Sequence, residues 1–117
     1  MVLAHGQDDK GLFELHASIC RTLAHPKRLE ILSLLRQGEL SVGEMADQMG
    51  ISLANASQHL AVLRDKRVVV TRREGVSVYY QISNPKIVQA CDLMREVLFE
   101  QLARSGALAE RMQQEGA

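Results

Sequence analysis

The sequence predicts a mainly α-helical domain that carries one small β-hairpin, in the order α-α-α-α-β-β-α. Apolar residues recur at helical spacing over four early segments and over one long C-terminal segment. Two β-branched runs, bounded by a glycine-containing turn at Gly75, lie between them. A helix with a polar outer face placed directly before a basic hairpin is the arrangement of a winged helix-turn-helix.

Composition predicts one domain over residues 1–117. The chain has 117 residues and is 46% hydrophobic, which is enough for one modest core and too little for two. Two Cys and no Trp argue against a disulfide scaffold. No apolar run approaches the roughly 18 residues of a membrane span, and the first ten residues lack the pattern of a secretion signal. We therefore expect a protein of the reducing cytoplasm without a membrane partner.

The first two helices are predicted from spacing and caps. Over residues 9–24, Leu12, His16, Ile19 and Leu23 recur at helical spacing, and Pro26 sets the end of the first helix. The second helix is expected to begin with His25 as its N-cap and to stop near Gly38. Its wide apolar face comprises Leu29, Ile31, Leu32, Leu34 and Leu35.

Residues 41–66 predict the helix-turn-helix. Ser41 and Glu44 have the spacing of a capping box, which begins a third helix. Gly50-Ile51-Ser52 is the short glycine-containing turn, and Ser52 caps the fourth helix. The expected apolar faces are Val42, Met45, Ala46 and Met49 on the third helix, and Leu53, Ala56, Leu60 and Leu63 on the fourth.

Residues 67–82 predict the wing and residues 84–104 a last long helix. The strands are expected at 68–71 and 76–82, with residues 72–75 as the loop and a positive φ at Gly75. Asn84-Pro85 begins the last helix, and its narrow apolar stripe comprises Ile87, Cys91, Met94, Leu98 and Leu102. A small domain already has its core in the middle helices, so this stripe predicts a subunit interface.

Charge is unevenly distributed although the net charge is zero. The sums are −2 over residues 1–50, +3 over residues 51–83 and −1 over residues 84–117. The positive excess therefore falls on the fourth helix and the wing, where it can attract the phosphates of nucleic acid.

The outward face of the fourth helix carries side chains suited to base edges in the major groove. Asn55 and Gln58 can each pair bidentately with adenine, and Ala54 can meet a thymine methyl group. Cations beyond this helix and on the wing can neutralise phosphates, namely Arg64, Lys66, Arg67, Arg72 and Arg73. The predicted DNA-contacting residues are Ser52, Ala54, Asn55, Ser57, Gln58, His59, Arg64, Arg72, Arg73, Gly75 and Ser77. The alternative is a merely solvated helix face.

Three motifs carry a resemblance to a known family: HPKR at 25–28, SQHL at 57–60 and RREGVSVYY at 72–80. Together they make residues 24–82, about half the chain, similar to the ArsR/SmtB family of small dimeric bacterial transcriptional repressors. The resemblance implies a homodimer built by the first and last helices. It also implies a double-stranded inverted-repeat operator as the partner and a small inducer that releases the DNA. Half-sites would lie about one DNA turn, or a multiple, apart.

The resemblance also indicates which inducer sites are missing. Positions that align with the family's thiolate pair hold Ser41 and Gly43, and those of its sulfide-responsive pair hold Ser33 and Phe99. Its zinc-type site aligns with Asn84, Lys86, Val97 and Glu100. Cys20 and Cys91 remain as sensor candidates, with His16 four residues before Cys20 on the same helical face. They can form a redox or reactive-sulfur sensor, bind a soft metal or metalloid ion, or simply pack.

No catalytic constellation is predicted. Ser57 and His59 lie close in sequence, but they share the presumed DNA face and have no acidic residue to orient the imidazole. An enzyme is therefore not expected. The alternative of another class is a winged-helix module that binds protein, for which binding independent of salt would be the sign.

Overall fold

The computed structural model describes residues 7–106, 110–111 and 113–114. The helices are α1 (Gln7–Leu23), α2 (Pro26–Leu35), α3 (Val42–Met49), α4 (Leu53–Asp65) and α5 (Pro85–Ser105). The strands are β1 (Leu40–Ser41), β2 (Val69–Glu74) and β3 (Ser77–Ile82). The chain forms two compact units, Met1–Ser83, which holds α1 to β3, and Asn84–Ala117, which holds α5.

Hydrogen-bonded caps begin the helices where the sequence predicts them. Ser41 Oγ accepts the Glu44 N–H at 3.1 Å, and Glu44 Oε1 accepts the Ser41 N–H at 2.9 Å, which completes the capping box. The predicted caps of α2, α4 and α5 are also confirmed: His25 Nδ1, Ser52 Oγ and Asn84 Oδ1 each accept a backbone N–H from the first helical turn. The prediction of 9–24 for the first helix is two residues late at its start and one at its end. The predicted end of the last helix is one residue early.

A third strand completes the sheet, and the sequence analysis missed it. Leu40 pairs with Tyr80 and Ser41 with Tyr79, so β1 lies antiparallel to β3 in the order β1-β3-β2. Two residues are too short to show the alternation that marks a strand. The predicted hairpin is therefore the outer part of a three-stranded antiparallel sheet.

The loop of the wing is shorter than predicted. Glu74 pairs with Ser77, so only Gly75 and Val76 connect β2 to β3. Gly75 has φ 61°, as expected, whereas Val76 is not among the residues with positive φ. This is the pattern of a type II′ turn, which matches the twist of the flanking strands. Placing Arg72 and Arg73 in the loop was wrong, because the tight turn extends β2 through both residues.

The core of the first unit is formed by α2, α3, α4 and the beginning of β2. Its side chains are Ile31, Leu32, Leu35, Met45, Ala46, Met49, Ala56, Leu60, Leu63, Val68 and Val69. Four residues assigned to the apolar faces of α2, α3 and α4 lie outside it: Leu53 is 57% and Leu29 is 44% exposed, and Leu34 and Val42 are half-buried. Leu53 is the first residue of α4, one turn before the buried Ala56, and lies at the edge of the core.

The second unit consists mainly of α5, and this helix contains no fully buried residue. Large apolar side chains on it are exposed: Leu93, Met94, Val97, Leu98 and Phe99. None of the helices in the described ranges combines the length and the apolar character needed to cross a bilayer.

Candidate nucleic-acid interface

The outward face of α4 presents the residues predicted to read bases. Ala54, Asn55, Ser57 and Gln58 are all exposed. The opposite face is fixed in the core by Ala56, Leu60 and Leu63, each 0% exposed. Ser52 is exposed, and its hydroxyl accepts the Asn55 N–H at 3.0 Å as the helix cap. The core therefore fixes the helix, which presents four polar or small side chains to solvent, and their contact with DNA stays a prediction.

His59 differs from these neighbours because its ring is half-buried. Its Nδ1 accepts a hydrogen bond from Arg28 Nε at 3.3 Å, and its ring centre lies 4.5 Å from that of His25. Accepting at Nδ1 requires the neutral ring to carry its hydrogen on Nε2. Burial lowers the pKa of His59, and nearby positive charge at His25, Arg28 and Lys27 lowers it further. His59 thus connects α4 to the beginning of α2.

Arg72 is held by two carboxylates. Its Nε donates to both carboxylate oxygens of Glu39, at 3.2 and 3.1 Å, and its Nη1 donates to Glu74 Oε2 at 2.9 Å. The guanidinium also lies 5.0 Å above the ring centre of Tyr79. The hydrogen bond from Arg72 lowers the pKa of Glu39. The hydrogen bonds to Glu39 and Glu74 in turn raise the pKa of Arg72. A phosphate contact by Arg72 would require it to exchange these partners.

Arg73 is the next residue on β2 and points to the other face of the sheet. It is exposed opposite Val78, and the structure gives it no ion pair with any described residue. Gly75 is exposed at the tip of the wing, and Ser77 is half-buried where β3 begins. Of the two wing arginines predicted to contact DNA, Arg73 is the one whose charge is available.

An open groove of about 470 Å³ is lined by residues of α4 and of the wing. Ser57, Ala61 and Arg64 supply one face of α4, and Asp65, Arg67 and Tyr80 complete the lining. Two guanidinium groups therefore share the groove with one carboxylate. The groove brings together Ser57 and Arg64 from the predicted set. Tyr80, which was not in that set, reaches the groove from β3.

The sensor candidates lie in different units. His16 and Cys20 are both exposed on α1, one helical turn apart, and Cys91 is half-buried on α5. Neither cysteine forms a disulfide. In the part of the chain that the structure describes, no group of three or more His, Cys, Asp or Glu side chains is arranged to hold a metal ion. The sensor assignments stay predictions.

Comparison with known proteins identifies the relatives of this chain. The family model for bacterial regulatory proteins of the arsR family matches residues 25–71. Rv0081, an uncharacterized HTH-type transcriptional regulator of Mycobacterium tuberculosis, is 37% identical over 111 residues, covering 94% of this chain and 97% of the relative. The chain belongs to the ArsR family. The predicted family is confirmed, and this ArsR-family chain is a transcriptional regulator and not an enzyme.

Further relatives agree with the ArsR assignment. The biofilm growth-associated repressor of Xylella fastidiosa is 36% identical over 85 residues, covering 73% of this chain and 75% of the relative. The crystal structure of M. tuberculosis Rv0081 has a TM-score of 0.75 and 40% identity, covering 82% of this chain and 97% of that chain. A solution structure of a homodimeric winged helix-turn-helix DNA-binding domain from Mycobacterium bovis has a TM-score of 0.76 and 33% identity. The match covers 86% of this chain and 94% of that chain. The predicted winged helix-turn-helix fold is confirmed.

Proposed function

We propose that the chain is a homodimeric transcriptional repressor that binds an inverted-repeat operator with α4 and the wing, and that a small inducer releases it. The observation that carries this proposal is the exposed face of Asn55, Ser57 and Gln58 on a helix whose other side is fully buried. A helix fixed by the core that presents amide side chains to solvent is suited to base reading in the major groove. The groove that contains Arg64 and Arg67 supplies positive charge beside this face.

Exposed apolar residues support the homodimer. On α1, Leu12, Phe13 and Leu15 are exposed, and on α5 the exposed set includes Leu98 and Phe99. Apolar surface of this extent on a small chain is typical of a subunit interface. One relative is named a repressor and another is homodimeric, which agrees with the proposal.

A salt series tests the proposal. Purified protein is titrated onto a labelled duplex from the region upstream of its own gene, and onto an unrelated duplex of equal length. The logarithm of affinity should fall linearly with the logarithm of salt, by about 0.9 for each neutralised phosphate, and the upstream duplex should bind more tightly. Binding that ignores salt would instead favour the protein-interaction module.

Alanine variants separate base reading from general binding. Asn55→Ala combined with Gln58→Ala should remove the preference for the upstream duplex. The matched control is Gln48→Ala, which alters an exposed amide on α3. If Gln48→Ala lost the preference for the upstream duplex as fully as the double variant, the assignment of α4 as the base-reading helix would be wrong.

A thiol-based sensor is the inducer mechanism favoured by one observation, the exposure of Cys20. An accessible thiol can react with oxidants, sulfane sulfur or soft ions, whereas a packed one is inert. The exposed His16, one turn earlier on α1, can assist as a second ligand to a bound ion. Cys91 is the second thiol of this proposal, and a soft metal or metalloid ion on Cys20, Cys91 and His16 is its alternative.

Operator release measured under defined treatments distinguishes these mechanisms. The protein–DNA complex is exposed to sulfane sulfur, to peroxide, and separately to arsenite, Zn(II) and Cd(II). Release by sulfur or peroxide that Cys20→Ser abolishes would support the thiol sensor. Release only by an ion, lost in both Cys20→Ser and His16→Gln, would support the metal alternative. Release that survives Cys20→Ser with Cys91→Ser would exclude both cysteines.

A further inference from the structure

We propose that Arg67 is a phosphate-binding residue of the DNA interface, retained at a backbone position that favours glycine. The inference rests on the proposed function and deepens it. It assigns to one side chain a role that the local fold does not require. It also predicts that stability and DNA affinity respond in opposite directions to one substitution.

The backbone of Arg67 is left-handed. Its φ is 58°, and it is the only residue other than glycine with positive φ in the described part of the chain. It follows the C-cap residue of α4, Lys66, in a Schellman motif: the Arg67 N–H donates to Arg64 O at 2.9 Å and the Val68 N–H to Leu63 O at 2.9 Å. Glycine is the usual residue here because a Cβ is disfavoured at positive φ.

The surrounding structure fixes this conformation without help from the arginine side chain. Ser83 Oγ donates to Arg67 O at 2.7 Å and to Val68 O at 3.0 Å. The Ser83 N–H also donates to Val68 O, at 3.0 Å. All of these bonds use the backbone of the turn and would remain with glycine in place. A side chain kept at a strained position that does not need it is a candidate for a function elsewhere.

The side chain of Arg67 is available for an anion. It is exposed and lines the groove of about 470 Å³, together with Arg64 and the polar residues Ser57 and Tyr80. The structure gives Arg67 no ion pair with a described residue, in contrast to Arg72. Asp65 is the one carboxylate of the lining and opposes an anion.

The anion that fits this position is a backbone phosphate of the bound duplex. The groove lies beside the base-reading face of α4 and contains Tyr80 of the wing. A DNA strand that contacts both α4 and the wing would therefore pass along the groove. A guanidinium can hold a phosphate bidentately. A free phosphate shares this chemistry, and a titration with inorganic phosphate distinguishes the two sources.

Four variants test the proposal. Arg67→Gly and Arg67→Asn remove the charge and suit positive φ, Arg67→Lys keeps the charge, and Asp65→Asn removes the opposing carboxylate. Affinity is measured against salt for the upstream duplex and for an unrelated duplex, and thermal unfolding is followed for each protein.

The two neutral variants should lower the salt slope by about 0.9 per lost contact, hence by about 1.8 for a homodimer. They should weaken both duplexes by a similar factor, because a phosphate contact carries no sequence information. Arg67→Lys should keep the slope, and Asp65→Asn should bind more tightly than the unchanged protein. Arg67→Gly should unfold at the same or a higher temperature.

Several outcomes would overturn the assignment. These are an unchanged slope in both neutral variants, a loss confined to the upstream duplex, or a lower unfolding temperature in Arg67→Gly. Phosphate binding that depends on Arg67 while the DNA slope stays constant would indicate a free-anion site instead. If the unchanged protein did not bind DNA in a salt-dependent way, the proposed function itself would be wrong. The comparison of the variants, in contrast, tests only the role of Arg67.

Discussion

Gln58 lies at the centre of the exposed face of α4, where its amide can pair with a base edge. Gln58→Ala should weaken binding to the operator by about 1–3 kcal/mol and relax specificity at one base position, with little effect on unrelated DNA. Fluorescence anisotropy with both duplexes measures this. Gln48→Ala on α3 is the matched control, and a uniform loss on both duplexes would contradict base reading by Gln58.

His59 should make the free energy of unfolding depend on pH. Its pKa is lowered from 6.5, mainly by burial, so the unfolded chain takes up a proton before the folded chain does. The neutral ring therefore contributes its full stability above pH 6.5, and this contribution is lost as the pH falls through the lowered pKa of the folded protein. Urea unfolding between about pH 7.5 and pH 5 should show a falling free energy of unfolding.

Variants identify the source of this pH dependence. His59→Gln removes the titrating ring and should flatten the pH profile. His16→Gln, which removes an exposed imidazole on α1, is the matched control. A profile in which His59→Gln matches the unchanged protein would assign the effect to other groups.

On β2, adjacent arginines have different surroundings because successive side chains point to opposite faces of a strand. Arg72 holds Glu39 and Glu74, so Arg72→Ala should lower the unfolding temperature and leave the salt slope of DNA binding nearly constant. Arg73→Ala should do the reverse, lowering the slope by about 0.9 per contact without loss of stability. Thermal unfolding and salt-dependent anisotropy of the two variants form a matched pair, and exchanged phenotypes would refute the assignment.

Local chemistry explains why the helix starts could be predicted. Each helix start is signalled within four residues of sequence, by Ser41 with Glu44, by Ser52, and by Asn84 before Pro85. At each of these starts the cap side chain accepts a backbone N–H from the first helical turn. The exposed face of α4 follows from the same periodicity that buries Leu60. These features require no knowledge of distant contacts.

Features that depend on residues distant in sequence could not be predicted. Glu39 reaches Arg72 across 33 positions, and Arg28 reaches His59 across 31. The short β1 exists only because β3 pairs with it. The left-handed backbone of Arg67 has no local signal either, since the usual glycine is absent. The candidate site was therefore predictable on α4 and not on the wing, where long-range ion pairs decide which charge is available.

For the whole molecule, the apolar face of α5 predicts assembly. Leu98 is 48% exposed beside Val97 and Phe99, which are also exposed. Leu98→Glu would place a charge in the proposed interface, so it should convert the homodimer to a monomer and abolish tight operator binding, because a single half-site binds weakly. Size-exclusion chromatography with light scattering measures the mass.

A charge on the opposite face of α5 is the control for this variant. Gln89→Glu adds the same charge at an exposed position nine residues away, half a turn around the helix, and should stay dimeric. A dimeric Leu98→Glu protein, or a monomeric Gln89→Glu protein, would place the subunit interface elsewhere.

Ser41 belongs to the sheet and to a helix terminus at once. It pairs with Tyr79 through β1, and its hydroxyl and N–H form both hydrogen bonds of the α3 capping box. No spare peptide separates the wing from the helix-turn-helix at this point. If β1 moved together with β3, the cap of α3 would be lost and the first backbone donors of that helix would be left without partners. Ser41 thus couples the sheet to the helix-turn-helix, in addition to the direct run of the chain from α4 into β2.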